Sequence, residues 1–258
     1  MSAPAPGVAP ATGSAPDAPE VRVEQAHLAF DGVLLFDQLS LTLPAGRTSC
    51  LLGPSGVGKS SLVRLIAGLA HGAEGRVLDG AGRDLAGRVA YMAQRDLLLP
   101  WLSVLDNVLL GDRLRGHPPR RERARALLEA VGLAERADAL PAALSGGMRQ
   151  RTALARTLME DKPVVLMDEP FSALDAITRF ELQETAAGLL AGRTVLLITH
   201  DPLEALRLGH EIRVLAGRPA LLGAAIEPAG LPPRDPATPG LLELQVELLR
   251  RLTAARAA

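Results

Sequence analysis

The residues of this chain best suited to chemistry begin at Gly53-Pro54-Ser55-Gly56-Val57-Gly58-Lys59-Ser60, where three glycines precede a lysine and a hydroxyl. Glycine accepts backbone angles that turn successive N–H groups inward around phosphate oxygens, and a helix starting behind the loop adds its positive end. Lys59 would then neutralise the β- and γ-phosphates, and the Ser60 hydroxyl would ligate Mg²⁺. A dinucleotide fingerprint is disfavoured, because its third glycine would fall on Ser61. Asp168-Glu169 tips the apolar run Val164-Val165-Leu166-Met167. Asp168 could hold the metal's shell there, and Glu169 could orient an attacking water and accept its proton. Between these lies Leu144-Ser145-Gly146-Gly147-Met148-Arg149-Gln150. Small residues and free N–H groups at a helix start suit an anion.

Strand, loop and helix must follow one another for the phosphate loop to work. Ser49-Cys50-Leu51-Leu52 reads as a short buried strand, and Leu62, Val63, Leu65, Ile66 and Leu69 repeat at helical spacing after the loop. Partial alternation from Val21 to Leu43, with turn chemistry at Asp31-Gly32 and Pro44-Ala45-Gly46, predicts a small antiparallel sheet. Between Leu102 and Met159 the pattern is mostly helical, which reads as a lobe inserted in an α/β core. Val164–Met167 and Thr194–Thr199 are apolar without alternation, as expected of parallel strands covered on both faces. His200 follows the second of them, with Asp201-Pro202 as a helix cap and first helical position. Past a proline-containing linker, Leu241 to Leu252 predicts an amphipathic helix.

Phosphate loop, Leu-Ser-Gly-Gly segment and Asp-Glu-tipped strand, in this order, resemble the ATP-binding subunit of an ABC transporter, over roughly Val21 to Gly217. The resemblance implies an α/β P-loop NTPase with a RecA-like parallel-sheet core, an antiparallel β subdomain and an inserted α-helical subdomain at about 95–160. The ATP-binding domain would span 21–225, after a flexible Ala/Pro-rich tail at 1–20 and before a linker and C-terminal helix at 226–258.

The same resemblance assigns roles. Glu169 is the general base, His200 the switch residue that bonds the γ-phosphate, and Gln94 a contact to Mg²⁺ or the attacking water that comes and goes with the helical lobe. Ser60, Gln94 and Asp168 would serve the metal. Gly53, Pro54, Ser55, Gly56, Val57, Gly58, Lys59, Ser60 and Ser61 would hold ATP, with Phe30 stacking on adenine and Phe36 as its alternative. Ser145, Gly146 and Gly147 would close on ATP held by a second copy, so that two chains sandwich two nucleotides head to tail, with Asp175 on the seam. Ser61 stands where threonine is commoner and follows the metal ligand, so all hydrolytic residues remain.

The run Asp96 to Val108 is where such subunits receive the coupling helix of a permease. Its Leu98-Leu99-Pro100-Trp101 resembles bacterial importers for nitrate, sulfonate and taurine, a group that includes importers of hydroxymethylpyrimidine thiamine precursors; the run Tyr91–Val108 is closest to the last of these. The plainer reading of Trp101, a buried anchor within the helical lobe, is compatible with the coupling role. An importer would also imply, indirectly, a periplasmic or extracellular solute-binding protein. A soluble ABC ATPase acting on nucleic acid or ribosomes is the alternative, but such proteins carry paired cassettes or long coiled coils. An exporter's engine is a further one, though it should lack the Leu-Leu-Pro-Trp segment.

Composition agrees with this reading. With a formal charge of −1 and a pI near 6.5, the 258 residues offer no broad basic surface for nucleic acid. Cys50 stands alone, which removes internal disulfides and thiolate zinc sites and fits a reducing cytoplasm. No apolar run approaches the roughly 18 residues of a membrane span. The resemblance implies a peripheral location, on the cytoplasmic face of a bacterial inner membrane.

Overall fold

The computed structural model describes residues 18–30 and 32–257. Most of the segment expected as a tail lies outside the described residues. Strands β1 (Val21–Phe30) and β2 (Val33–Leu43) pair antiparallel, and β4 (Glu74–Asp79) adds to the other side of β1. A second sheet contains β3 (Thr48–Leu52), β5 (Val89–Met92), β6 (Val164–Asp168), β7 (Thr194–Ile198), β8 (Glu211–Ala216) and β9 (Leu221–Leu222). Its order is β5-β6-β7-β3-β8-β9, parallel throughout except for the β8–β9 hairpin.

The apolar runs of β6 and β7 serve two cores at once. Val164, Leu166, Leu196 and Ile198 face the core shared with the antiparallel sheet and α1 (Lys59–Ile66). Val165, Met167, Val195 and Leu197 face the opposite core, which extends into the helices. Successive strand residues point to opposite faces, so a sheet buried on both sides shows no polar alternation. Cys50 is buried in that second core.

The inserted lobe comprises α2 (Val104–Val108), α3 (Leu110–Leu114), α4 (Arg121–Ala130) and α5 (Gly146–Met159). α6 (Ala176–Leu190) and α7 (Pro202–Leu208) return to the sheet. α8 (Leu241–Ala257) runs five residues beyond the expected helix and seats Leu241, Leu248 and Ala255 in the core beside α7 and β8. Among the described residues no helix is long and apolar enough to cross a membrane.

Candidate nucleotide site

β3 delivers the glycine loop to the carboxyl edge of the sheet, and two glycines there are required by space. A Cβ on Gly53 would lie 2.4 Å from the Leu215 carbonyl oxygen, and one on Gly58 would lie 2.9 Å from the Phe36 ring. Gly58 also has φ +107, outside the range L-residues favour, and is the N-cap of α1. Phe36 is fully buried against this loop, so the alternative of adenine stacking fails for it. The side chain of Phe30 lies outside the described residues.

Lys59 donates to the carbonyls of Gly53 and Pro54, each at 2.9 Å. Burial lowers its pKa, while Glu169 and then Asp168 oppose the shift. Burial raises the Asp168 carboxyl, a Ser60 hydroxyl bond opposes that, Glu169 adds to it, and Lys59 and Arg64 oppose it. The dry setting therefore outweighs the local charge pairing, which makes the pocket floor sensitive to any charge placed over it.

Glu169 sits one residue past β6. Its N–H donates to the Ile198 carbonyl of β7 at 2.9 Å, and it adopts φ +51, a left-handed conformation uncommon for glutamate. Gln94, just beyond β5, donates through Nε2 to Glu169 Oε2 at 3.2 Å, and His200 Nδ1 lies 3.4 Å from the same oxygen. Residues from two neighbouring strand ends thus converge on the carboxylate carried by a third, beside Lys59.

The signature segment lies elsewhere on this chain. Ser145 caps α5 by accepting from the Met148 N–H, and the side of Gly147 meets Ala173 and Leu174 so closely that a Cβ would lie 2.9 Å from the Leu174 side chain. Ser145 and Gly146 are exposed, and Asp175 caps α6 nearby through the Thr178 N–H at 3.0 Å. One residue not assigned a role from sequence joins these parts. Buried Gln150 donates to the Glu169 carbonyl at 2.8 Å and accepts from the Ala173 N–H at 2.8 Å. The sequence shows only a polar residue on the helix behind a capping serine; its burial comes from the fold.

The same helix grips the loop that carries Trp101. Arg149 Nε donates to Asp96 at 3.1 Å, and Arg156 donates to the carbonyls of Leu97 and Asp96. Buried Asn107 bonds the Leu99 N–H and the Leu99, Leu102 and Ser103 carbonyls, fixing that loop's shape. Trp101 is 71% exposed as a result, which corrects the expectation of a buried anchor; Leu97 beside it is exposed as well.

Residues 36–172 match the family described as ABC transporter. The chain is 46% identical over 237 residues to an uncharacterized ABC transporter ATP-binding protein of Haemophilus influenzae, covering 90% of this chain and 98% of that one. It is 43% identical to the aliphatic sulfonates import ATP-binding protein SsuB 1 of Pseudomonas syringae, over 92% of this chain and 96% of the relative. Among solved structures it resembles the dimeric structure of MJ0796, a bacterial ABC transporter cassette, with a TM-score of 0.73, 26% identity, and coverage of 82% of this chain and 100% of that one.

Proposed function

This chain belongs to the ABC transporter family as an ATP-binding subunit, and from that premise we propose that it hydrolyses ATP to drive import of a sulfonate-type solute. The observation that carries the reading is the convergence of Gln94 and His200 on Glu169 beside the Lys59 loop.

In this reading Lys59 and the loop N–H groups hold the triphosphate. Ser60 and Asp168 offer hard oxygens, the donor type Mg²⁺ takes when most of its shell comes from phosphate and water. Their mutual bond means both face one point, so the donors fit that ion, with Gln94 as the third contact; bound there, it would neutralise charge on the β- and γ-phosphates. Glu169 accepts the water's proton, His200 fixes the γ-phosphate, and Gln94 couples the carboxylate to the helical lobe.

Among the described residues no hydrogen bond joins Ser145, Gly146, Gly147 or Asp175 to this chain's own phosphate loop, and Ser145, Gly146 and Asp175 are exposed, which supports a head-to-tail pair in which each signature serves the other copy's ATP. Phe30 remains the proposed adenine contact. Exposed Leu97 and Trp101 present the apolar surface a permease's coupling helix would take, on the cytoplasmic face of the cell membrane. Names of relatives support a sulfonate over the hydroxymethylpyrimidine branch.

The test is affinity purification of tagged Glu169→Gln protein from gently solubilised membranes with ATP, with co-purifying chains identified by mass spectrometry. A multi-span permease with a solute-binding protein is the expected outcome, and that protein's affinity for sulfonates against pyrimidines decides the solute. Recovery of ribosomes, DNA or soluble chains alone would sink the transport reading.

A further inference from the structure

We propose that Glu204 is a positioning residue for His200, holding the histidine's turn against α6 through Thr199 and Gln183. The inference rests on the reading of His200 given above.

Asp201 and Glu204 have the spacing of a capping box, in which the glutamate would reach back to the N-cap N–H and stay near water. Glu204 does otherwise. The Asp201 N–H donates to the Thr199 hydroxyl at 3.0 Å, and Glu204 turns inward, only 5% exposed, to accept from Gln183 Nε2 at 3.1 Å, with the Thr199 hydroxyl close enough to favour its charged form. Burying a carboxylate is costly, and an apolar side chain would fill the space more cheaply.

Its partners leave it little freedom. Gln183 Oε1 accepts from Arg207 Nη1 at 2.7 Å, so the amide of Gln183 has its nitrogen end committed to Glu204. The Thr199 hydroxyl accepts from the Asp201 N–H, which leaves its own hydrogen able to turn toward Glu204. The turn 199–201 is thereby locked on both sides of His200, whose exposed ring reaches Glu169. α6 begins at Asp175, so the lock ties the histidine to the element that opens at the dimer seam.

The charged and titratable groups facing Glu204 are Asp201 at the strand end, Arg179 on α6, Cys50 on β3 and Arg207 one turn along α7. Burial, the largest cause, pushes its carboxyl up to about 7. Both hydrogen-bond partners bring a hydrogen to it, so the network fits the ionised form. Protonation weakens what both donors gain, because the neutral carboxyl is the poorer acceptor.

The experiment measures steady-state ATP hydrolysis by the full chain from about pH 6 to 8.5, with nucleotide binding alongside. Native protein is expected to lose kcat as pH falls through the Glu204 value. Glu204→Gln should show kcat about tenfold lower, KM within about twofold, and no such step. Thr199→Val should behave like Glu204→Gln, Thr199→Ser like native, and the double variant Thr199→Val with Glu204→Gln no worse than either alone. If Glu204→Gln fails to fold, Thr199→Val against Thr199→Ser carries the test. A native kcat and pH profile in Glu204→Gln, or multiplied losses in the double variant, overturns the proposal. Beside an inactive His200→Ala chain that result leaves the catalytic reading standing. A His200→Ala chain with native turnover removes the premise and the proposal together.

Discussion

Gln94 Nε2 donates to Glu169 Oε2 across 3.2 Å, so the residue at the junction of sheet and helical lobe touches the carboxylate that would activate water. Any shift of Gln94 would change that carboxylate's surroundings.

Replacing Glu169 by Gln keeps the side chain's shape and an acceptor for Gln94 but removes the base. Hydrolysis should fall at least ~100-fold while ATP still binds, seen by phosphate release and by a fluorescent nucleotide. Turnover near the native rate would show that the base is another group.

Lys59→Ala removes the charge now shared by two carbonyls at 2.9 Å, and ATP affinity should drop at least ~10-fold. Ser145→Arg blocks the surface offered to the partner. A dimer of chains carrying both changes should be inactive, whereas mixing the two single variants should restore one composite site; no recovery on mixing would contradict the head-to-tail arrangement.

Gln150→Leu strands the Ala173 N–H, which Gln150 alone accepts among the described residues, while the Glu169 carbonyl keeps the Ser172 hydroxyl. A loss of about 1 to 3 kcal/mol in urea unfolding is expected. ATPase activity should fall further than stability does, because the same amide ties the signature helix to the Glu169 backbone.

Trp101→Ala should do the opposite. Its exposure predicts a stability change within about 0.5 kcal/mol and native hydrolysis by the isolated subunit. Recovery of the permease in the pull-down should be lost, and full recovery would move the docking surface elsewhere.

Glu204 also sets a pH dependence of stability. Its folded value of about 7 lies above the usual 4.5, so the folded state holds a proton that the unfolded chain has released between them. Stability therefore declines as pH rises through that window, by at most about 3 kcal/mol, and Glu204→Gln should lack this decline. Parallel urea curves for the two proteins at pH values on either side of the window decide it; equal slopes refute the buried charge.

How much the chain disclosed depended on which faces were covered. β6 and β7 were legible because both of their faces are buried, leaving uninterrupted apolar runs. β8 was not, since Glu211 and Arg213 break its pattern; the Glu211 charge is tolerated in the interior because the Ser49 hydroxyl donates to it at 2.7 Å. β4 opens on exposed Glu74, Gly75 and Arg76 and gave no alternation to follow. The phosphate loop and the Asp168-Glu169 pair could be read from local spacing. The contacts of Gln94, Gln150 and Glu204 could not, because each partner lies on a different element and only the crossovers of the sheet bring them together. The exposure of Trp101 was not legible either, because the loop around it is held by Asn107, which looks like any polar helix residue.

The solitary Cys50 has a practical consequence. Its thiol is buried in β3, and burial, reinforced by Glu204, holds its pKa well above the usual value, so it stays protonated and shielded from electrophiles. A cysteine introduced at an exposed site such as Ile177 would then be the only one to take a maleimide dye or spin label. Opening and closing of the two copies could be followed by distance measurements on an otherwise unaltered chain.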